Sequence, residues 1–342
     1  PHVGDMENLE TLRHFEAMLD LYKKMFRLNP RILAHDLHPD YLSTRYALES
    51  QKGNPDLRLV PVQHHHAHIA SCMAENGVAP PVLGVAFDGT GLGTDGSLWG
   101  GEFFVVKDYT DIRRAGHLEC VPLPGGEASI RRPYRMAFSY LYTLLGEEVL
   151  KGRSPAFLRD LPEAEVGLLV QQIRKGIHAP MTSGAGRLFD AVSAVMGVRG
   201  KIDYEAQAAI ELEMLCDGTA EPGEAYPFRV QEKDGQWIVR LGALFSAILD
   251  DLDLGISRGR ISCRFHLTVA RMIAAVCESL SRDTGLRRVV VSGGVFQNRV
   301  ISRLTRRLLE EKGLEWIGHR DVPCNDACIS LGQAVIAHFV TK

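Results

Sequence analysis

The sequence predicts an α/β protein in which helices cover mixed sheets. Three observations carry that reading. Short apolar runs alternate with segments of helical period along the chain. Two of the apolar runs end in glycine-rich turns, DGTGLGTDG (88–96) and SGG (292–294). No internal repeat or low-complexity linker interrupts the 342 residues, enough for two lobes or one domain with an interior cleft.

Residues 6–28 place Leu12, Phe15, Met18, Leu19, Tyr22 and Phe26 at helical spacing. RILAHDL (31–37) is a strand stopped by His38-Pro39, and a helix follows over 41–49, closed by Lys52-Gly53-Asn54-Pro55. LRLVPVQ (57–63) is a second strand that runs straight into HHHAH (64–68), and 65–77 is a helix ended by Gly77. Val78-Ala79-Pro80-Pro81 is the clearest break. It divides a first lobe, 1–79, from a second, 80–342, with the C-terminal helix returning to the first. Strands 82–87 and 98–106 flank the first glycine turn as a hairpin. Helices are expected over 134–150 and 155–175, from about Gly186, and in YEAQAAIELEMLC (204–216). RRVVVSGGVFQNR (287–299) gives strand, turn and a long amphipathic helix, and CNDACISLGQAVIAHFV (324–340) gives the last helix.

Composition excludes some classes. A net charge of −3 provides no basic field for nucleic acid. The apolar runs are far too short to span a bilayer, and no signal peptide opens the chain. The start, PHVGDMENLE, lacks Met and suggests a piece cut from something longer. The seven cysteines are scattered without a CxxC pair, which argues against a disulfide framework or zinc ribbon and for a reducing cytoplasm. Cys324 and Cys328 are spaced for one helix face, as core packing residues.

Four histidines in seven positions are the densest chemical signal. His64 and His68, four apart, share a helix face and form a two-imidazole metal clamp; no HExxH glutamate accompanies them. His65 and His66 point elsewhere, toward substrate or phosphate. The plainer reading is a polar helix start. A metal needs further donors, and Asp88 in FDGTG and Asp326 in CNDAC supply oxygen for Fe, Mn or Zn, although each alone also reads as a turn or cap residue. The 88–96 turn suits a phosphate clamp but is neither a Walker A loop nor a dinucleotide fingerprint. Gly293-Gly294, followed by Gln297 and Asn298, lets a nucleoside lie close to backbone. Asp190 stands one turn into a helix, and Glu127, Arg131, Arg132 and Arg135 sit in a glycine-rich stretch where arginines hold an anionic substrate or merely face water.

Together VQHHHAHIASCMAENG, GVAFDGTGLGTDGSLWGGEFF, PLPGGEASIRRPYRMAF and VSGGVFQNRV resemble the C-terminal part of the HypF family, carbamoyltransferases of nickel–iron hydrogenase maturation. The resemblance covers essentially the whole chain. It implies a two-lobed actin-like ATPase (ASKHA) fold, with two RNase H-like subdomains and a nucleotide cleft between them. The same fold serves the tRNA threonylcarbamoyl transferases and antibiotic O-carbamoyltransferases.

It further implies that carbamoyl adenylate, made from carbamoyl phosphate and ATP in an N-terminal module this chain lacks, delivers its carbamoyl group here. The acceptor is the C-terminal cysteine of HypE, and dehydration there yields the cyanide ligands of the hydrogenase. By resemblance, His64, His68, Asp88 and Asp326 hold iron or zinc, with magnesium accompanying ATP. Asp88, Gly89, Thr90, Gly91, Asp190, Gly293, Gly294 and Asn298 contact the nucleotide, and His65, His66 and Arg131 carry catalysis. Between the clamp histidines the tRNA enzymes have Glu-Gly where this chain has His65-His66-Ala67, which favours carbamoyl transfer. The rival readings are a nucleotide-binding docking module without turnover, a small-molecule O-carbamoyltransferase and a sugar-kinase-like ATPase.

Overall fold

The computed structural model describes residues 3, 8–153, 155–159, 161–216 and 224–342. Helix α1 (Leu9–Met25) starts where Asn8 caps it by accepting the Thr11 N–H; the expected helical residues 6 and 7 lie outside the described residues. Strand β1 (Ile32–Asp36), helix α2 (Leu42–Gly53) and strand β2 (Arg58–Val62) form a parallel two-stranded unit. Gln63 then caps helix α3 (His64–Glu75) by accepting the His66 N–H, so the histidine run opens a helix directly at a strand end.

A nine-stranded mixed sheet is built around β3 (Val82–Leu92). β4 (Leu98–Val106) and β5 (Ile112–Leu118) continue it antiparallel, and the short β6 (Val121–Pro122) leads to helices α4 (Glu127–Arg131) and α5 (Pro133–Leu145). Next come α6 (Glu147–Gly152), α7 (Ala156–Arg159), α8 (Glu163–Lys175), the short β7 (Met181–Thr182), α9 (Ala185–Val195) and α10 (Gln207–Met214). The hairpin β8 (Arg229–Lys233) and β9 (Gln236–Arg240) joins the sheet beside β5. Helices α11 (Gly242–Asp253) and α12 (Arg258–Thr284) precede β10 (Arg288–Ser292), α13 (Arg299–Glu311), β11 (Glu315–Ile317) and α14 (Ile329–Val340). The run β5-β4-β3-β10-β11, with β4 antiparallel and β10 parallel to β3, is an RNase H-like sheet.

The continuous apolar run 82–87 is explained by burial on both faces. Leu83, Val85 and Phe87 enter a core with α5, α9, α11, α12 and α13, while Val82 and Ala86 face Ile69, Cys72 and Met73 of α3. The opposite side of α3, through Ala67 and Ala70, packs on Val60, Val62, Ile336 and Ala337. The histidine helix is therefore enclosed between the large sheet on one side and β2 with α14 on the other.

Several expectations are corrected. The DGTGL segment is not hairpin tip: β3 runs on to Leu92, with an irregularity between Phe87 and Gly91, and only residues 93–97 turn. Helix 134–150 breaks at Gly146 and helix 155–175 divides at Pro162. Cys324 and Cys328 do not share a helix face, because Cys324 lies in coil and Cys328 ends a single 3-10 turn (Asp326–Cys328). The scattered cysteines nevertheless provide one disulfide, Cys216–Cys263, joining positions 47 apart in sequence. No local spacing announces a contact that far apart.

Candidate metal centre

His64 and His68 project from one face of α3 toward the end of β3, where Asp88 leaves the sheet's regular register. The 3-10 turn before α14 brings Asp326 to the same point. Asp88 Oδ2 lies 3.2 Å from His68 Nε2 and 3.4 Å from His64 Nε2. Asp326 Oδ1 lies 3.4 and 3.5 Å from the same two nitrogens. One donor atom from each of the four residues falls within 4.8 Å of the others. Three of the side chains are enclosed, whereas that of Asp326 is 66% exposed and forms the mouth.

The residues fit a divalent cation. Buried His64 Nε2 has no hydrogen-bond partner of its own, and its Nδ1 is 2.8 Å from Asp36 Oδ2. That carboxylate holds the proton on Nδ1 and turns the Nε2 lone pair inward, the usual support of a metal-bound imidazole. Burial disfavours charge on His64, yet Asp326, Asp36 and Asp88 outweigh it and raise its pKa well above the ordinary imidazole value. His68 behaves likewise, against burial, through Asp326, Asp88 and Cys328. Burial pushes Asp88 up, but the two histidines hold it well below the usual carboxylate range. The site thus draws positive charge, and an N₂O₂ donor set of imidazole and carboxylate suits iron, zinc or manganese.

Anion-binding groups adjoin this cluster. The Gly294 N–H donates to Asp88 Oδ1 at 3.2 Å, placing the second glycine turn against the first. Gly293 adopts φ +107, and a Cβ there would lie 2.2 Å from the Phe87 carbonyl oxygen. Gly89, Thr90 and Gly91 continue β3; a Cβ at Gly91 would meet His65 at 2.8 Å, and one at Gly89 would stand 3.8 Å from Arg187 Nη1. Asp190 does not face outward: it is buried and paired with Arg187 at 2.7 Å, so it orients the guanidinium beside Gly89. Burial raises the Asp190 pKa, and Arg187 opposes this.

Other expected residues are engaged elsewhere. Asn298 accepts the Ile301 N–H as the cap of α13 and donates to His266 Nε2, so both ends of its amide are committed within the fold. Arg131 is exposed and ion-paired with Glu127 at 2.7 Å, without a hydrogen bond or ion pair to the four-residue cluster. Arg135 is buried, bonded to the Pro124 carbonyl and to Glu165, and Arg132 is 3.9 Å from the same Glu165.

The two middle histidines differ. Gln63 donates to His65 Nδ1, which leaves the His65 proton on Nε2, a buried nitrogen without a partner. Burial holds His65 well below the usual imidazole pKa. The His66 ring meets Phe104 edge-on, and burial lowers its pKa to about 4. Both rings are neutral at pH 7.

Asp36, Arg187, His319 and Glu75 escaped the sequence reading, Ser292 entered it only as part of a glycine turn, and Cys328 only as a packing residue. Cys328 Sγ is 3.3 Å from His68 Nδ1. Its thiol is pushed up by burial but brought down overall, to about 6, by His319 and His68. Asp36, Arg187, His319 and Glu75 sit in no recognisable local motif.

Comparison with known proteins agrees with the fold. A model of the carbamoyltransferase Kae1-like domain, second subdomain, matches residues 84–333, and one of the HypF Kae1-like domain matches 1–75. The chain is 35% identical to carbamoyltransferase HypF2 of Cupriavidus necator over 98% of its own length and 43% of that protein. It is 36% identical to a carbamoyltransferase HypF homolog of the same organism, over 98% and 84%. It superposes on full-length HypF in its phosphate- and nucleotide-bound form with TM-score 0.92 at 38% identity, covering 100% of this chain and 52% of that one. T. kodakarensis HypF gives TM-score 0.87 at 30%, over 99% and 44%. The chain thus spans under half the length of the first of these relatives. With both subdomain models matched in order along it, the chain belongs to the HypF carbamoyltransferase family.

Proposed function

We propose that this chain is the carbamoyl-transferring module of a larger enzyme, with residues 1–79 as one lobe and 80–342 as the other. It takes carbamoyl adenylate from an N-terminal adenylate-forming module, acts in the cytoplasm, and passes the carbamoyl group to the C-terminal cysteine of HypE. That transfer leads toward the cyanide ligands of nickel–iron hydrogenase. The observation that carries the proposal is the convergence of His64, His68, Asp88 and Asp326 beside the glycine turns. The nucleotide-bound form of a HypF structure supports a nucleotide site, which this reading assigns to ATP or AMP. Among the described residues no helix is long and apolar enough to cross a membrane.

In the transfer, the acceptor sulfur attacks the carbamoyl carbon. A C–S bond forms, the C–O bond to phosphate breaks, and AMP leaves with the electron pair. A divalent cation, iron or zinc, held by His64, His68, Asp88 and Asp326 supplies Lewis-acid charge against the developing oxyanion. Arg187 serves the phosphate, and the Gly294 N–H holds Asp88 in place. His65, with its proton on Nε2, donates to the substrate. His66, whose buried Nε2 has no partner, accepts the thiol proton. Arg131 reaches an anionic substrate only by leaving Glu127.

Pre-formed carbamoyl adenylate and HypE test the reading with the adenylate-forming step bypassed. Carbamoyl transfer in His64→Ala is expected to fall by about a hundredfold or more. Equal rates in His64→Ala and the unaltered chain would sink it.

A further inference from the structure

His64 has its orienting carboxylate beside it, but His68 does not. Its Nδ1 faces the Ser292 hydroxyl at 3.1 Å. From Ser292 a chain of hydrogen bonds leads on: Oγ to His319 Nε2 at 2.9 Å, then His319 Nδ1 to Glu75 Oε2 at 2.6 Å. All four side chains are enclosed, His68 and Ser292 at 0% exposure and His319 and Glu75 at 4% and 8%. Glu75 is the last residue of α3 and is itself fixed, since its Oε1 accepts the backbone N–H groups of Arg320, Asp321 and Val322. Burial pushes its carboxyl up, but these bonds and His319 lower it to about 2, so it is an anion at neutral pH.

The donor and acceptor inventory gives this chain a direction. A carboxylate only accepts, so His319 holds a proton on Nδ1 and presents Nε2 as the acceptor. The Ser292 proton goes to that lone pair. Ser292 oxygen then receives the His68 Nδ1–H, so that His68 Nε2 is the nitrogen whose proton a cation displaces beside Asp88 and Asp326. The competing partners of Ser292, the Cys324 carbonyl and Cys328 Sγ, lie farther away at 3.4 and 3.9 Å.

The geometry assigns Glu75 and His319, acting through Ser292, as positioning residues that select the His68 tautomer able to bind the cation. This rests on the metal reading of the cluster above. It adds a set of residues contributed by β10, by the loop after β11 and by the far end of α3. The carboxylate is two side chains removed from the imidazole it governs.

Zn²⁺ affinity, measured on the chain by competition with a chelator, tests the assignment. In Glu75→Gln the amide oxygen still accepts the backbone N–H groups, but the amide nitrogen donates to His319 Nδ1 and reverses every bond. Affinity is expected to fall about 10–100-fold. Ser292→Ala should fall comparably, and Glu75→Gln should then add nothing further, because the chain is already cut. Unchanged affinity in Glu75→Gln overturns the assignment, as does a Glu75→Gln loss that persists undiminished in Ser292→Ala, which would mark Glu75 as a loop anchor only. Absence of Zn²⁺ binding by the unaltered chain overturns the metal reading and this inference together. Nitrogen-15 histidine spectra of the unaltered Zn²⁺-loaded chain give a check free of folding effects. A proton on His319 Nδ1 is expected, and a proton on Nε2 overturns the assignment.

Discussion

Individual residues in this centre are of two kinds, and only one was legible in the sequence. His64, His68, Asp88 and Asp326 stood out because imidazoles four apart and aspartates at glycine-rich strand ends have few structural uses together. Asp36 stands 28 residues from the histidine it orients, and Ser292 stands 224 residues from His68. Residues of this kind are ordinary serines and carboxylates until the fold supplies their partners. Asn298 shows the opposite error. Its place after a glycine turn suggested a ligand contact, but the nearer demand, an uncapped helix, takes its side chain. Gly293 offers a test at this scale. Because φ is +107 and a Cβ would collide with the Phe87 carbonyl, Gly293→Ala should destabilise the chain by at least about 2 kcal/mol in urea unfolding. A loss under half that value would mean the turn relaxes readily.

Among the elements, those with a clean period or a strong stop were readable, and those whose neighbours decide them were not. The helices α1, α2, α3 and α9 and the strands β1, β2 and β10 match their patterns closely. The 27-residue α12 went unassigned although Arg264, Arg271, Glu278 and Arg282 fall at helical spacing along one polar face, with most of its other side chains buried. DGTGL looked like loop because glycine disfavours strands in isolation. Pairing of Gly91 with Trp99 and Leu92 with Leu98 overrides that weak preference. The contact between α14 and α3 depends on Gly332, where a Cβ would lie 1.8 Å from the Ala67 carbonyl oxygen. Gly332→Ala must therefore push the two helices apart. As the turn bearing Asp326 precedes α14 directly, Zn²⁺ affinity should drop about tenfold or more alongside thermal stability, since a ligand displaced by 1 Å no longer meets its cation. Reduced stability with unchanged Zn²⁺ affinity would show that Asp326 is seated independently of α14.

Considered as a whole, the molecule encloses more imidazole than neutral pH makes apparent. Burial lowers His266 to about 4, opposed by its bond to the Ser262 carbonyl, and His66 to about 4 as well. Each folded value lies below the ordinary imidazole value near 6.5. The unfolded chain therefore takes up these protons first as pH falls, and the folded state loses stability between about pH 6.5 and 4, with no contribution above that window. For His266 alone the loss amounts to about 3 kcal/mol at pH 4. Urea midpoints at pH 7, 5.5 and 4.5 should fall progressively, and His266→Gln should remove its share. An identical acid slope in that variant would refute the assignment. The overall α/β class followed from the sequence because burial on two faces leaves uninterrupted apolar strands; the enclosure of α3 did not. The disulfide and the β8–β9 hairpin did not, since they depend on pairings between distant segments.

The route by which Asp326 joins its three companions also governs when the centre can exist. As the polypeptide leaves the ribosome, His64, His68 and Asp88 emerge together, within 25 positions of one another. Asp326 follows more than two hundred residues later, and the helix that packs it against α3 follows it. Between Asp88 and Asp326 the nascent chain can offer only three of the four donors. On the proposed metal reading, cation uptake then belongs to the finished fold, and chains abandoned midway are left without a closed site in which to sequester the ion.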